Sequence, residues 1–301
     1  MVKESWKYAL LALFGLHGIA SAMSMPDAAP TLQDPATDVA FLEFEPYPSI
    51  GGTRFVGSPV AGSSENRAWR LAGQLTFPAG KIGETQLFGT FKSTLLDRDI
   101  IYKDSLLLND GVLERYWLSG GATFPWPNNQ TNMALVGVGI NSDFADIGLF
   151  DFNTEWIYSH SWILSPDLTL GAGLDLQQYF HKYQPYPLIF VDWRVSEKTK
   201  LKWDADYLEM RRFLSPWLCF TVGVRFNLEF FALKQDASFE YNSAGLETGF
   251  QYAMGRNFYA RIKYKELVWG HETLGLPGGG AGYTRGIDAG RSLRLNLAYG
   301  L

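Results

Sequence analysis

The feature that most constrains this chain is a strict alternation of apolar and polar residues, sustained over long stretches. Between Trp217 and Phe230, one face carries Leu218, Phe220, Val222, Val224, Phe226, Leu228 and Phe230. The other carries Cys219, Thr221, Gly223, Arg225, Asn227 and Glu229. Successive side chains of a strand point to opposite faces, so a period of two means strand and excludes helix. The split recurs in Leu168–Phe180, Lys200–Tyr207, Phe258–Lys265 and Ser292–Leu301.

Alternation does not say which face meets which solvent, since a soluble sandwich also alternates, with its apolar face turned inward. Three features favour a membrane. Several segments run ten residues or more, the length a strand needs to cross a bilayer at a tilt, while soluble strands average about five or six. Trp162, Trp217 and Trp269 stand near strand ends, where an interfacial girdle would be. Long connections at Tyr47–Arg67, Leu96–Asp110 and Gly270–Asp288 interleave with short turns at Ser165–Asp167, Ser196–Lys198 and Gly255–Asn257. Outer-membrane barrels put short turns on the periplasmic side and long loops outside.

Composition agrees. Aromatic residues make up 15% of 301 residues and glycines number 31, yet mean hydropathy is only -0.08. A helical membrane protein would be clearly apolar on average, and no segment after the first 22 residues is a continuous apolar run long enough for a spanning helix. If the chain crosses a membrane, it does so as strands. The formal charge of -5 implies no nucleic-acid partner. The single cysteine, Cys219, permits no intramolecular disulfide, which a large barrel does not need.

Residues 1–22 read as a signal peptide: Lys3 and Lys7, a short apolar run from Ala9 to Ile19, then a small-x-small site at Ala20–Ala22, with cleavage after Ala22. Residues 23–38 read as a flexible lead-in, and 39–301 as the barrel. The pattern predicts strands at 39–45, 68–77, 84–95, 111–124, 131–141, 151–163, 167–180, 185–195, 199–209, 216–231, 237–242, 245–254, 257–268 and 289–301. Periplasmic termini require an even number, so the expectation is a closed antiparallel all-β barrel of fourteen strands. Twelve is the alternative, with 237–242 the weakest member. Such a barrel is too wide for side chains to fill, so its interior should hold water, loops or a ligand.

The stretch Arg291–Leu301 resembles the C-terminal recognition strand of outer-membrane barrels, although it ends in Leu301, leaving Tyr299 as the nearest ring. The order ALVGVGINSD (Ala134–Asp143), LGAGLDLQQY (Leu170–Tyr179) and PYPLIFVDW (Pro185–Trp193) resembles bacterial outer-membrane barrels grouped as a domain of unknown function. The resemblance spans residues 39 to 301. It implies fold and location and carries no catalytic residue; the expected partners of such a barrel are outer-membrane lipid and the barrel-assembly machinery during insertion.

Candidate chemistry is sparse. His160 shares its face with Trp156, Tyr158 and Trp162 and reads as an interfacial histidine; Ser161 points the other way. His181 and His271 fall in expected loops, and no metal-ligand spacing occurs. Asn141, Asp143, Asp146 and Asp151 cluster at one outer loop, but the calcium-loop pattern is absent, so a solvated acidic loop is the better account. Gly275–Gly282 lacks the Lys-Ser or Lys-Thr of a phosphate cradle and reads as a loop. No catalytic, cofactor or metal site is expected.

The informative set is the polar face of the strands. Its basic members are Arg70, Lys92, Arg194, Lys200, Lys202, Arg225, Arg261, Lys263, Lys265 and Arg294, and its acidic members Asp175, Asp192, Asp204, Asp206, Glu229 and Glu247. Either these charges line a pore for passive diffusion of small polar solutes, or they form cross-strand ion pairs that rigidify a closed barrel. The alternatives to a pore are a non-conducting scaffold that binds a partner through its outer loops, and a lipid hydrolase.

Overall fold

The computed structural model describes residues 38–51, 66–98, 112–144, 147–179, 182–233, 237–254, 258–275, 283–287 and 289–300. The expected signal segment, residues 23–37 of the expected lead-in, His181, Asp146 and the Gly255–Asn257 turn lie outside them, while Asp38, expected in the lead-in, begins the first strand.

Strands fill nearly all of this. In chain order they are β1 (Asp38–Gly51), β2 (Asn66–Ile82), β3 (Thr85–Arg98), β4 (Val112–Trp126), β5 (Gln130–Ser142), β6 (Phe152–Ser165), β7 (Leu168–Tyr179) and β8 (Lys182–Ser196). There follow β9 (Thr199–Asp204), β10 (Tyr207–Ser215), β11 (Leu218–Leu233), β12 (Ala237–Ala253), β13 (Phe258–Gly275), β14 (Tyr283–Ile287) and β15 (Ala289–Gly300). The one helical turn described is a 3-10 segment at Leu149–Asp151. Among the described residues no helix is long and apolar enough to cross a membrane.

Each strand from β1 to β12 pairs antiparallel with its sequence neighbour, and β1 also pairs with β15. β15 pairs with β13, and β13 with β12 along Ser238–Ala253, so the sheet closes on itself. Closure removes most of the free edges that an open sheet this long would expose. Short turns at Gly83–Glu84, Pro127–Asn129, Pro166–Asp167, Glu197–Lys198 and Pro216–Trp217 all fall at one end, the turn end; the opposite is the loop end.

Burial settles the face that the sequence left open. Leu118, Val138, Trp156, Leu246 and Ile262 point outward and are 52–57% exposed. Their alternates face inward: Glu247, Lys265, Arg294, Glu209 and Thr221 are at most 2% exposed. A soluble sandwich would show the reverse. Apolar outside and charged inside is the arrangement that lets strands stand in hydrocarbon. Close packing inside also selects glycine where a ring crosses a strand. A Cβ on Gly139 would lie 2.5 Å from Trp117 Cδ2, so only glycine admits the indole there.

Three strand assignments need correction. The expected strand 199–209 is a hairpin: Asp204 pairs with Tyr207 around the two-residue turn Ala205–Asp206. Ala205 takes the positive φ of 47° that such tight hairpin turns require. Asp206 therefore stands in a turn, and Tyr207 moves to the inner face beside Glu209. The expected strands 237–242 and 245–254 are one strand, β12, because Ser243, Ala244 and Gly245 pair without a break with Asn227, Phe226 and Arg225. β14 lies within an expected loop, paired with β13, which runs to Gly275 and so carries His271 in a strand.

β11 does not stay in the wall. Its exposure alternates up to Leu228, and then five consecutive residues, Glu229–Leu233, are buried. Loss of alternation means that protein lies against both faces. The Ala232 carbonyl accepts a hydrogen bond from Asp143 N–H at 3.2 Å, just beyond the end of β5, and Ala232 pairs parallel with Ser142. Phe230 packs on Trp117, an inward residue of β4. The upper part of β11 thus folds over the loop end of the interior, bringing β12 with it, and Phe231 and Phe239 pack at 6.4 Å between ring centroids.

Candidate functional site

The inner face holds most of the charges that the sequence assigns to it. By register and burial, Arg70, Lys92, Asp175, Asp192, Lys200, Lys202, Asp204, Arg225, Glu229, Glu247, Arg261, Lys263, Lys265 and Arg294 all project inward. Arg194 shares that face but sits at the turn end, 65% exposed and 3.9 Å from Asp167. Asp206 is the exception, in the β9–β10 turn, 3.9 Å from Arg225.

The structure adds residues that the pattern did not flag. Tyr207, Glu209 and Arg211 alternate inward on β10, and Arg115 and Glu155 do so on β4 and β6. Their signal was the same period of two. It was lost on β10 because the turn at Ala205–Asp206 shifts the phase of everything after it, and a strand ended at 209 leaves Arg211 out.

Two ion-pair knots dominate the interior. Glu209 contacts both Arg211 and Lys263, and Tyr207 donates to Glu209 while accepting from Lys263 Nζ at 2.6 Å. Arg225 stacks over the Tyr207 ring at 4.4 Å. Glu247 bridges Arg294 at 2.7 Å and Arg225 at 3.2 Å. A third pair, Arg70–Glu229 at 3.1 Å, ties the in-folded end of β11 to β2. Lys200 meets Asp192 at 2.8 Å nearer the turn end. A buried charge keeps its ionised form only when paired in this way.

Two cavities bounded by described residues lie between these knots. The larger, about 740 Å³, is bounded by inward residues of β2 to β8, including Gln74, Lys92, Arg115, Leu135, Glu155, Asp175 and Leu188, and by the turn Asp204–Asp206. The smaller, about 500 Å³, is lined by eight cationic side chains: Arg70, Lys92, Arg115, Lys202, Arg211, Arg225, Arg261 and Lys263. Asp204 and Asp206 are the acids of its described lining, while Glu209, Glu229 and Glu247 stand just behind it, paired respectively with Arg211 and Lys263, with Arg70, and with Arg225. Gln74, Lys92, Arg115, Asp204 and Asp206 line both cavities, so the two adjoin.

Among the described residues the wall is incomplete. β8 pairs with β9 only from Phe190 to Ser196, and β11 with β10 only from Leu218 to Arg225. Among the described residues no strand stands between Lys182–Ile189 of β8 and Phe226–Leu233 of β11. The turn Ala205–Asp206 forms the sill of this gap. Ala205 N–H donates to the Ile189 carbonyl at 3.2 Å, and Phe226 N–H donates to the Asp206 carbonyl at 2.8 Å.

The remaining candidates are bland. His160 lies on the outer face, its Nδ1 2.7 Å from Asn132 Oδ1, which also accepts from the Tyr158 hydroxyl; its ring packs on Trp162. Its cross-strand neighbours are Asn132 and Ala172, so no serine faces it. His271 lies 3.0 Å from Asn242 and against Trp269. In the acidic loop, Asn141 accepts from the Trp117 indole at 2.9 Å, and Asp151 accepts from Gly148 N–H at 2.7 Å. Among the described residues no group of three or more His, Cys, Asp or Glu side chains could hold a metal.

A closed antiparallel barrel with an apolar exterior and a charged, partly hollow interior defines a porin-like β-barrel. No protein-family model matches the chain, and no curated protein is similar to it in sequence. Solved barrels are similar in outline. An outer-membrane channel from Pseudomonas putida F1 has 11% identity and a TM-score of 0.44, covering 91% of this chain and 100% of that one. The NanC porin has 8% identity and a TM-score of 0.41, covering 87% and 100%. The Pseudomonas putida toluene transporter TodX has 8% identity and a TM-score of 0.41, covering 88% and 90%.

Proposed function

We propose that this chain is an outer-membrane β-barrel that passes small polar solutes through its interior, with anions favoured. The observation that carries the reading is the pair of adjoining cavities, about 740 and 500 Å³, inside a wall whose outer face is apolar. Eight cations line the smaller cavity against Asp204 and Asp206, and although Glu209, Glu229 and Glu247 pair with four of them from just outside that lining, cations stay in excess and set its sign. Rings of one charge bias which ions enter a water-filled path. The short turns would face the periplasm, the signal segment would be cleaved after Ala22, and the barrel-assembly machinery would insert the mature chain. β14 and β15 pair with successive stretches of β13, so we count them as one interrupted stave and the wall as fourteen-stranded.

The test is electrical. The refolded barrel in a planar bilayer should conduct in steps, and a potassium chloride gradient should give a reversal potential of anion-selective sign. Charge reversal at Lys92 and Arg115, which line both cavities, should move that potential toward cations. A barrel that never conducts removes the reading. It would favour a second one, a closed scaffold, for which the in-folded β11 and the ion-pair knots speak.

A further inference from the structure

The gap between β8 and β11 is open in a second sense, because the larger cavity touches both faces of each strand that borders it. On β8 it reaches inward Leu188 and outward Pro187. On β11 it reaches inward Asn227 and outward Phe226 and Leu228, which are 50% and 36% exposed. A cavity confined to the interior could touch only one face. This one runs sideways through the wall.

The chain is built to tolerate that opening. In an antiparallel strand the N–H and C=O of one residue point to the same edge, and edges alternate along the chain. The Ile189 carbonyl meets the sill, so Pro185 and Pro187, of the same parity, also present their edge to the gap. Proline has no N–H, so neither leaves a donor unpaired there. On β11 the gap-side edge includes Phe226, whose N–H donates to the sill, and Ala232, whose carbonyl accepts from Asp143 N–H beyond the end of β5. Unsatisfied backbone in hydrocarbon costs several kcal/mol per group, which is why an unplanned breach of a barrel wall does not persist.

The height of the sill places the gap. β9 has six residues. At about 3.3 Å each and a tilt of about 40°, they climb roughly 15 Å from the turn end, against an apolar band roughly 25 Å tall. The gap therefore opens onto the half of the bilayer at the loop end.

Resting on the reading that solutes pass through the interior, we infer that the gap between β8 and β11 is a lateral portal for an amphipathic anion, a carboxylate on an apolar body, moving between the loop-end leaflet and the interior. The mouth is apolar, with Pro187, Leu188, Phe226 and Leu228. Behind it the larger cavity sets Lys92 and Arg115 against Glu155, Asp175, Asp204 and Asp206, and beyond these lies the eight-cation cavity, to which the anionic head would pass. Acids also face the path. Asp204 and Asp206 at the sill lie 3.9 Å from Lys202 and Arg225, respectively, and Glu155 and Asp175 each accept a hydrogen bond from the Gln177 amide. The volume of about 740 Å³ lies in the range of roughly 300–1,000 Å³ typical of small-molecule sites.

The test uses the mature barrel refolded in phosphatidylcholine–phosphatidylglycerol vesicles and a dodecanoate carrying a diazirine at its chain end. After illumination, label should concentrate on peptides holding 185–190 and 226–228. Arg115→Gln and Lys92→Gln, made separately, should each cut saturable labelling about tenfold, as loss of a charge-assisted hydrogen bond implies. Each variant must first show the shift between unheated and heated gel migration of a folded barrel. Label spread evenly over the outer face, at Leu118 and Ile262 as much as at the gap, overturns the portal. Equal labelling by the dodecanol analogue overturns the anionic class. Absence of conductance with the gap still labelled sinks the passage reading and leaves the portal standing.

Discussion

Replacing Phe230 by alanine should uncap the barrel without dismantling it. Phe230 is 5% exposed and packs on Trp117, where β11 has left the wall. Truncating a buried phenylalanine costs about 3–5 kcal/mol, the lost transfer energy plus the cavity left behind. Two polar ties of the same segment are the backbone hydrogen bond from Asp143 to Ala232 and the Arg70–Glu229 pair, with net contributions of about 1 and about 1.5–3 kcal/mol. The loss at Phe230 is therefore comparable with these two polar ties together. At 1.4 kcal/mol per factor of ten, a loss of about 3 kcal/mol shifts the local opening equilibrium by about 100-fold. Single-channel recording reads this directly: the variant should spend far more time in a higher-conductance state, while its urea midpoint in vesicles falls little. The staves below Leu228 do not depend on Phe230. Unchanged conductance with an unchanged midpoint would refute the claim that this segment caps the interior.

Two further outcomes follow from the interior. Glu247→Ala leaves Arg225 and Arg294 buried without the carboxylate between them, so it should lower unfolding stability by about 3–5 kcal/mol; a loss under about 1 kcal/mol in equilibrium urea unfolding would show that the knot contributes nothing. Cys219 is 0% exposed, so a maleimide should label it only after unfolding, and rapid labelling of the folded barrel in vesicles would contradict its burial.

The period of two was enough to give the architecture, because in a barrel every stave obeys the same rule and errors in one do not disturb the rest. Leu218–Phe230 and Leu293–Leu297 could be assigned residue by residue. The errors fell where a turn carries no punctuation. Lys200–Tyr207 reads as unbroken alternation, yet Ala205–Asp206 reverses the chain without glycine, proline or asparagine, so Tyr207 changed face and Arg211 went unnoticed. Ser243–Gly245 made the opposite error, since small residues that read as a turn sit inside β12. One signal was present and unused: Pro185 and Pro187 inside a strand mark an edge that lacks a partner.

The sequence by itself determined that the chain forms long strands with one greasy and one charged face, since side-chain alternation is a local property of extended backbone. It could not say that the charged face turns inward, because sandwich and barrel share the pattern and only closure of β12 on β13 decides between them. Nor could it show the in-folded β11, the two cavities or the missing stretch of wall. Those depend on where a short hairpin stops relative to its neighbours, a relation between strands far apart in the chain that no local pattern records.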